Sequence, residues 1–224
     1  MKVNKFRLLT LLLLCIATLL AVMPCKAQKY YADFKKAKKG VDTLTLLTPY
    51  VCIEAFKGQE AKRDYELEER LTKGFFNDSY LLLKKKYQLA GFPLSADSIN
   101  QSEWNDLFAT LEKSDKNSEI PTPAFIQKFI KDNPVRYFLM IFFYGYYNAY
   151  YQPYENMTRG LSNNAIYISI NQNLRFSDMR ALIFDNQRNV VVFYNKKSSK
   201  IIDPRVSSDV EKMPSDILKS IYYK

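Results

Sequence analysis

The chain of 224 residues contains no histidine. That absence removes Ser-His-Asp and Cys-His catalysis, histidine metal sites and imidazole acid–base work together. Glycine is scarce as well, with six in all. Nothing fits GxxxxGKS/T or GxGxxG, so no loop of that kind cradles a phosphate. No aspartate-rich calcium loop is present. Neither a metal nor a cofactor is expected. There are three cysteines, Cys15, Cys25 and Cys52. The first two fall in an N-terminal segment that reads as removable, which leaves Cys52 alone and excludes a small domain stapled by disulfides. Cys52 has no imidazole to activate it and stands in an apolar stretch, so it reads as a small buried hydrophobe. Internal repeats, low-complexity runs and linker-like compositions are missing too.

What is present begins with an export signal. Lys2, Lys5 and Arg7 form a positive start, Leu8 to Met23 is an uncharged apolar run, and Pro24 breaks it. "CKA" then places Cys25 and Ala27 as the small residues of a cleavage site, with Gln28 as the new N-terminus. An uncleaved anchor and acylation of Cys25 are the competing readings; the apolar run is slightly long for a cleaved signal, and Pro24 stands where a lipoprotein signal carries a small residue. The expected organisation is a signal peptide over 1–27, a basic lead-in over 28–40 and a single α/β domain over 41–224. The signal takes away Lys2, Lys5, Arg7 and Lys26 and no acid, so the formal charge falls from +10 to +6. The remaining lysines cluster at 35–39, 84–86 and 196–200, and such short runs read as solvated faces. An exported protein meets little nucleic acid, so no nucleic-acid partner is expected. Attraction to an anionic membrane surface or glycan stays open. The expected location is the periplasm or the outer membrane, reached by export across the inner membrane.

The pattern of elements is mixed. "QKYYADFKKAKKG" at 28–40 reads as a short helix with Tyr30, Tyr31 and Phe34 on one side. "VDTLTLLTPYVCIEA" at 41–55 reads as a buried strand that ends or bulges at Pro49, and "FKGQEAKR" as a turn. Residues 62–87 read as a helix with Leu67, Leu71 and Phe75 inward and Glu69 paired with Lys73 outward; "NDS" at 77–79 is a candidate kink. A short strand follows in 88–98. A helix at 102–113 carries the stripe Trp104, Leu107, Phe108 and Leu111. Thr122 is placed to cap a helix that opens with Pro123 and buries Phe125, Ile126, Phe129 and Ile130. From 135 the period turns extended, with strands at about 135–147, 164–172, 178–185 and 190–195, a terminal piece at 199–202, and a hairpin turn at 186–189. A final helix buries Val210, Met213, Ile217, Leu218 and Ile221, divided in two by Pro214. The fold class is therefore α+β (mixed α/β): one sheet with a central hydrophobic strand, an antiparallel C-terminal meander and helices on its faces.

That central strand is "YFLMIFFYGYYNAYYQPY", 137–154. A helical span needs about 20 mainly apolar residues, and the apolar part here is shorter. As a strand it places Tyr137, Leu139, Ile141 and Phe143 on one face and Phe138, Met140, Phe142 and Tyr144 on the other. The second half is expected to leave the core towards a hairpin end, so Tyr146, Tyr150, Tyr151 and Tyr154 are the candidate binding residues. Carboxylates offer less. Asp64, Glu66, Glu68 and Glu69 read as solvated acids favoured by a helix start. Glu54 and Asp185 end apolar strands and could enter a cleft. "DPR" at 203–205 reads as a turn with an exposed arginine.

The strand "VDTLTLLTPY", the helix "DYELEERLTKGFFNDSYLLLKKKY" and the later "NNAIYISI" and "ALIFDNQRNVVVFYN" together resemble the α/β core of exported envelope proteins. Curli-secretion-channel-like lipoproteins and the amino-terminal domain of the TolB type are such proteins. The resemblance is architectural, covers most of 41–223 and carries over no functional residue. It implies an accessory or structural role in the cell envelope. The expected function is a non-catalytic exported envelope protein acting through protein–protein contact. The alternatives are an exported carbohydrate- or peptidoglycan-binding domain that uses the Tyr-rich hairpin, and a carboxylate-based hydrolase that uses Glu54 or Asp185 with a second carboxyl group nearby. The partner is accordingly an envelope protein or a glycan.

Overall fold

A computed structural model describes residues 29–30, 41–92, 101–115, 118–131, 133–150 and 175–222. The strands are β1 (Lys29–Tyr30), β2 (Thr43–Leu47), β3 (Tyr50–Lys57), β4 (Glu60–Arg63), β5 (Gln88–Phe92), β6 (Ile120–Pro121), β7 (Tyr137–Asn148), β8 (Arg175–Asp185) and β9 (Val190–Ser199). The helices are α1 (Tyr65–Leu83), α2 (Gln101–Lys113), α3 (Ala124–Ile130), α4 (Ser207–Val210) and α5 (Lys212–Tyr222). The strands form one mixed sheet in the order β1-β9-β8-β7-β2-β5, with β3 also on β7, β4 on β3 and β6 on β9.

β7 is the axis of this sheet, and its sequence explains why. Tyr137, Leu139, Ile141, Phe143 and Tyr147 enter a core closed by α1, α4 and α5. Phe138, Met140 and Phe142 enter a second core closed by α2 and α3. A strand covered on both faces must be apolar on both, as this one is. The run is thus a strand, and no helix among the described residues is long and apolar enough to cross a membrane.

The stretch 43–57 lies along β7 as two parallel pieces. β2 meets its first half (Thr45 opposite Phe138) and β3 its second (Tyr50 opposite Phe142). Between them stand Thr48 and Pro49. Proline brings no N–H, so the ladder lapses there and resumes where "YVCI" restores it. On the other side β8 runs antiparallel to β7 from Tyr137↔Asp185 to Tyr147↔Arg175, and β9 continues the meander with an extra residue near Ile183 and Phe184. The 186–189 turn is as expected. Asn189 takes the left-handed conformation that asparagine tolerates (φ 58°), and Asp185 Oδ1 accepts the N–H groups of Gln187 and Arg188.

Several expectations are corrected. Only Gly58 and Gln59 turn within "FKGQEAKR"; Gly58 has φ 65°, and Glu60–Arg63 return as β4 against β3. Lys29 and Tyr30 pair with β9 as a strand rather than opening a helix. The rest of 31–40 lies outside the described residues, as does the expected strand at 164–172. "NDS" does not interrupt α1; Ser79 is buried, and packing of the helix overrides its local preference. Pro123, not Thr122, is the N-cap residue of α3, and the buried Thr122 hydroxyl has no hydrogen-bond partner among the described residues. Thr122 instead continues β6, donating its N–H to Asn189 O at 2.9 Å. Pro214 lies inside the first turn of α5, where an N–H would have no helical acceptor, and the break falls at Glu211. No separate strand forms at 199–202; β9 ends at Ser199, whose hydroxyl accepts the N–H groups of Ile201 and Ile202.

Cys52 lies in the α2–α3 core and is 3% exposed. Burial pushes its thiol up to about 11, against an opposing pull from the Arg63 charge. A thiol-specific disulfide reagent at pH 8 will leave Cys52 of the native protein unlabelled and will label it in denaturant. Rapid stoichiometric labelling without denaturant would show that the thiol is not in this core.

Candidate functional site

Past the last buried side chains of the α2–α3 core, the same face of the sheet continues as a half-buried strip. Strand alternation puts Glu54 and Phe56 of β3, Tyr144 and Tyr146 of β7 and Phe176 of β8 on it. The rings touch one another. Tyr146 stacks on Phe176 (centroids 5.4 Å apart, planes at 24°), Phe56 meets Tyr146 edge-on at 5.6 Å, and Tyr144 lies 6.3 Å from both Tyr146 and Phe176. The Tyr144 hydroxyl donates to Glu54 Oε2 at 2.6 Å. Burial and then this bond to a carboxylate push the phenol well above the usual tyrosine range.

The charges beside the strip are closed on themselves. Asp178, opposite Tyr144, accepts from Arg180 Nε at 2.7 Å and from the Ser198 hydroxyl. The Arg180 guanidinium lies 4.1 Å from the centroid of the Phe108 ring and reaches Glu112. Glu112 also accepts from Lys196 at 2.9 Å and from the Tyr194 hydroxyl at 3.2 Å. Burial raises the Glu112 carboxyl, but its bond from Lys196 and the two positive charges outweigh that and hold it below the usual range.

Glu54 differs. Its cross-strand neighbour in the β3–β4 hairpin is Arg63. Arg63 turns away and clamps Glu68 of α1 with two bonds, Nε to Oε1 at 2.9 Å and NH2 to Oε2 at 2.7 Å. Glu68 Oε1 also accepts the Ile53 N–H at 2.9 Å. Glu68 is therefore buried and paired, not a solvated acid of the helix start, because the first turn of α1 lies directly against β3. Among the described residues, no cation pairs with Glu54.

At the same end of the opposite face, the Tyr147 hydroxyl donates to Asp64 Oδ2 at 2.6 Å. Asp64 Oδ1 caps α1 through the Leu67 N–H. Arg205 lies 4.2 Å from the centroid of the Tyr147 ring and is chelated by Asp203. The "DPR" arginine is thus largely buried, with 17% of its side chain exposed, rather than displayed. Burial, followed by the bond to Asp64, pushes the Tyr147 phenol up to about 12. An unfolded tyrosine ionises near 10. This stabilisation is complete below pH 10 and is lost as pH rises towards 12, because the unfolded state releases its proton first. Denaturant melts between pH 9 and 11.5 will show stability falling, and Tyr147→Phe will make the fall shallower. An unchanged slope in that variant would dissociate Tyr147 from it.

The expected site residues divide. Tyr146 is in the strip. Tyr150 is 70% exposed just beyond β7, its N–H bonded to Asn148 Oδ1. Tyr151 and Tyr154 lie outside the described residues. The expectation that the chain leaves the core after Phe143 is corrected, since β7 runs on to Asn148 and Tyr147 is buried. Glu54 and Asp185 are not brought together. Glu54 stands opposite Tyr146 and Asp185 opposite Tyr137, so about 30 Å of strand separates them. A glycosidase-type pair needs about 5–10 Å. Asp185 is instead held by Arg136, with NH2 to Oδ2 at 2.8 Å. Phe56 and Phe176 were not legible as site residues. Their period-2 spacing from Glu54 and Asp178 was visible, but the register joining β3, β7 and β8 was not.

No family model matches the chain, and no curated protein matches it in sequence. Solved structures similar to it include the PelC dodecamer from Paraburkholderia phytofirmans, at 8% identity and a TM-score of 0.34, covering 82% of this chain and 89% of that one. The LpoB C-terminal domain from Salmonella enterica is similar at 12% identity and a TM-score of 0.31, covering 74% and 90%.

Proposed function

We propose that the chain is a non-catalytic exported protein of the cell envelope that works by binding another protein, through the strip formed by Phe56, Tyr144, Tyr146 and Phe176. The observation that carries this reading is the strip itself: four half-buried rings in mutual contact at an end of the sheet face that no described helix covers. Aromatic side chains are enriched where proteins meet, because they bury large areas at little cost in conformational entropy. The N-terminal segment supports export. The architectural resemblance to curli-secretion-channel-like and TolB-type cores supports the envelope. Chemical cross-linking and capture from native envelope fractions tests the proposal. The wild-type chain should retain a defined protein partner, and Tyr146→Ser with Phe176→Ser should lose it while keeping the native circular dichroism. A partner held equally by the folded double variant, or no partner at all, overturns it.

A second reading, glycan binding by Tyr150 with Tyr151 and Tyr154, is favoured by the exposure of the Tyr150 ring. Retention of peptidoglycan fragments by the wild type and its loss in Tyr150→Ala would establish that reading.

A further inference from the structure

We infer that Glu54 is the receptor for an arginine side chain presented by the protein partner; this rests on the strip being the contact surface. Glu54 is half-buried among aromatic rings, where an unpaired carboxylate is costly. The cation placed opposite it in the hairpin, Arg63, is committed elsewhere by two bonds to Glu68. Of its two oxygens, Oε2 takes the Tyr144 hydroxyl, a neutral donor that leaves the negative charge in place. The neighbouring carboxylates Asp178 and Glu112 are both neutralised by Arg180 and Lys196.

Chemistry selects arginine over other occupants. Its planar guanidinium stacks on aromatic faces while donating to a carboxylate, and it is less strongly hydrated than an ammonium group. The rings of Tyr146 and Phe176 supply the faces and Glu54 the acceptor. The same molecule already displays this mode, since Arg180 lies over Phe108 while bonded to Asp178. The strip and Glu54 repeat the aromatic and acidic halves of that arrangement without its cation.

The test uses N-acetyl-arginine amide as the probe, titrated into the folded mature chain by NMR, with N-acetyl-citrulline amide as the isosteric neutral control. Saturable shifts should centre on residues 54, 56, 144, 146 and 176. The citrulline probe should bind about fivefold more weakly or worse, the scale of one partly screened ion pair. Glu54→Gln should bring the arginine probe down to the citrulline level. Shifts centred elsewhere, or affinity indifferent to Glu54→Gln, overturn the inference. If Glu54→Gln is indifferent while the Tyr146→Ser, Phe176→Ser variant still loses its partner, the inference fails and the contact surface stands. If neither variant affects partner capture, both fail.

Discussion

Trp104→Ala will destabilise the protein by about 3–5 kcal/mol, the range for deleting a large aromatic from a packed core. Trp104 has no exposed surface. Its ring lies 4.9 Å from Phe125 of α3, 5.6 Å from Phe142 of β7 and 5.6 Å from Phe108 one turn along α2. It therefore joins both helices of this face to the central strand. A domain of ordinary stability, about 5–15 kcal/mol, keeps little after such a loss. Urea unfolding followed by circular dichroism reads the change directly. A loss below about 1 kcal/mol would mean that the site collapses around the gap and that the α2–α3 layer is not rigid.

The companion variant separates volume from polarity. The Trp104 Nε1 group is buried with no hydrogen-bond partner among the described residues, and an unsatisfied buried donor costs about 1–3 kcal/mol. Trp104→Phe removes that donor and only part of the ring. The two effects oppose one another, so this variant should sit well above Trp104→Ala in stability.

The parts of this fold that were legible in the sequence are those fixed by neighbours along the chain. Alternation in "YFLMIFF" assigned each side chain of β7 to a face, because strand periodicity is local. The stripes of α2 and α3 and the 186–189 turn follow from the same kind of signal. The break at Pro49 is legible because a missing N–H acts wherever the strand lies. Other features depend on which strands become neighbours. Glu68 reads as an exposed acid from its sequence neighbours, and only the apposition of α1 to β3 gives it the Ile53 N–H and the Arg63 guanidinium. The strip is a property of register: Glu54 is 90 residues from Tyr144 along the chain, and nothing local predicts that they share a hydrogen bond. Two of the four tyrosines singled out lie beyond the described residues, and a third, Tyr150, stands past the end of β7. Tyr146 is the one that the sheet brings to Glu54, Phe56 and Phe176.

Glu68→Gln will cost about 3 kcal/mol and will also silence Glu54. Glu68 has 9% of its side chain exposed and Arg63 has 40%. Breaking a fully buried pair strands a charge and costs about 3–5 kcal/mol, but here the orphaned guanidinium can turn to water, so the larger figure does not apply. What is lost is a charged two-bond clamp, about 1.5–3 kcal/mol, and some of the quality of the acceptor for Ile53 N–H. Glu68→Ala removes that acceptor outright and should be worse. The freed Arg63 remains directly across the hairpin from Glu54, and a cross-strand pair of opposite charge is favourable. It will turn back onto Glu54 and compete with any arginine offered from outside. Binding of N-acetyl-arginine amide should therefore weaken in folded Glu68→Gln, and Arg63→Ala added to it should restore binding without restoring stability. A destabilised but fully binding Glu68→Gln would show that Glu68 serves the fold alone and does not keep Glu54 unpaired.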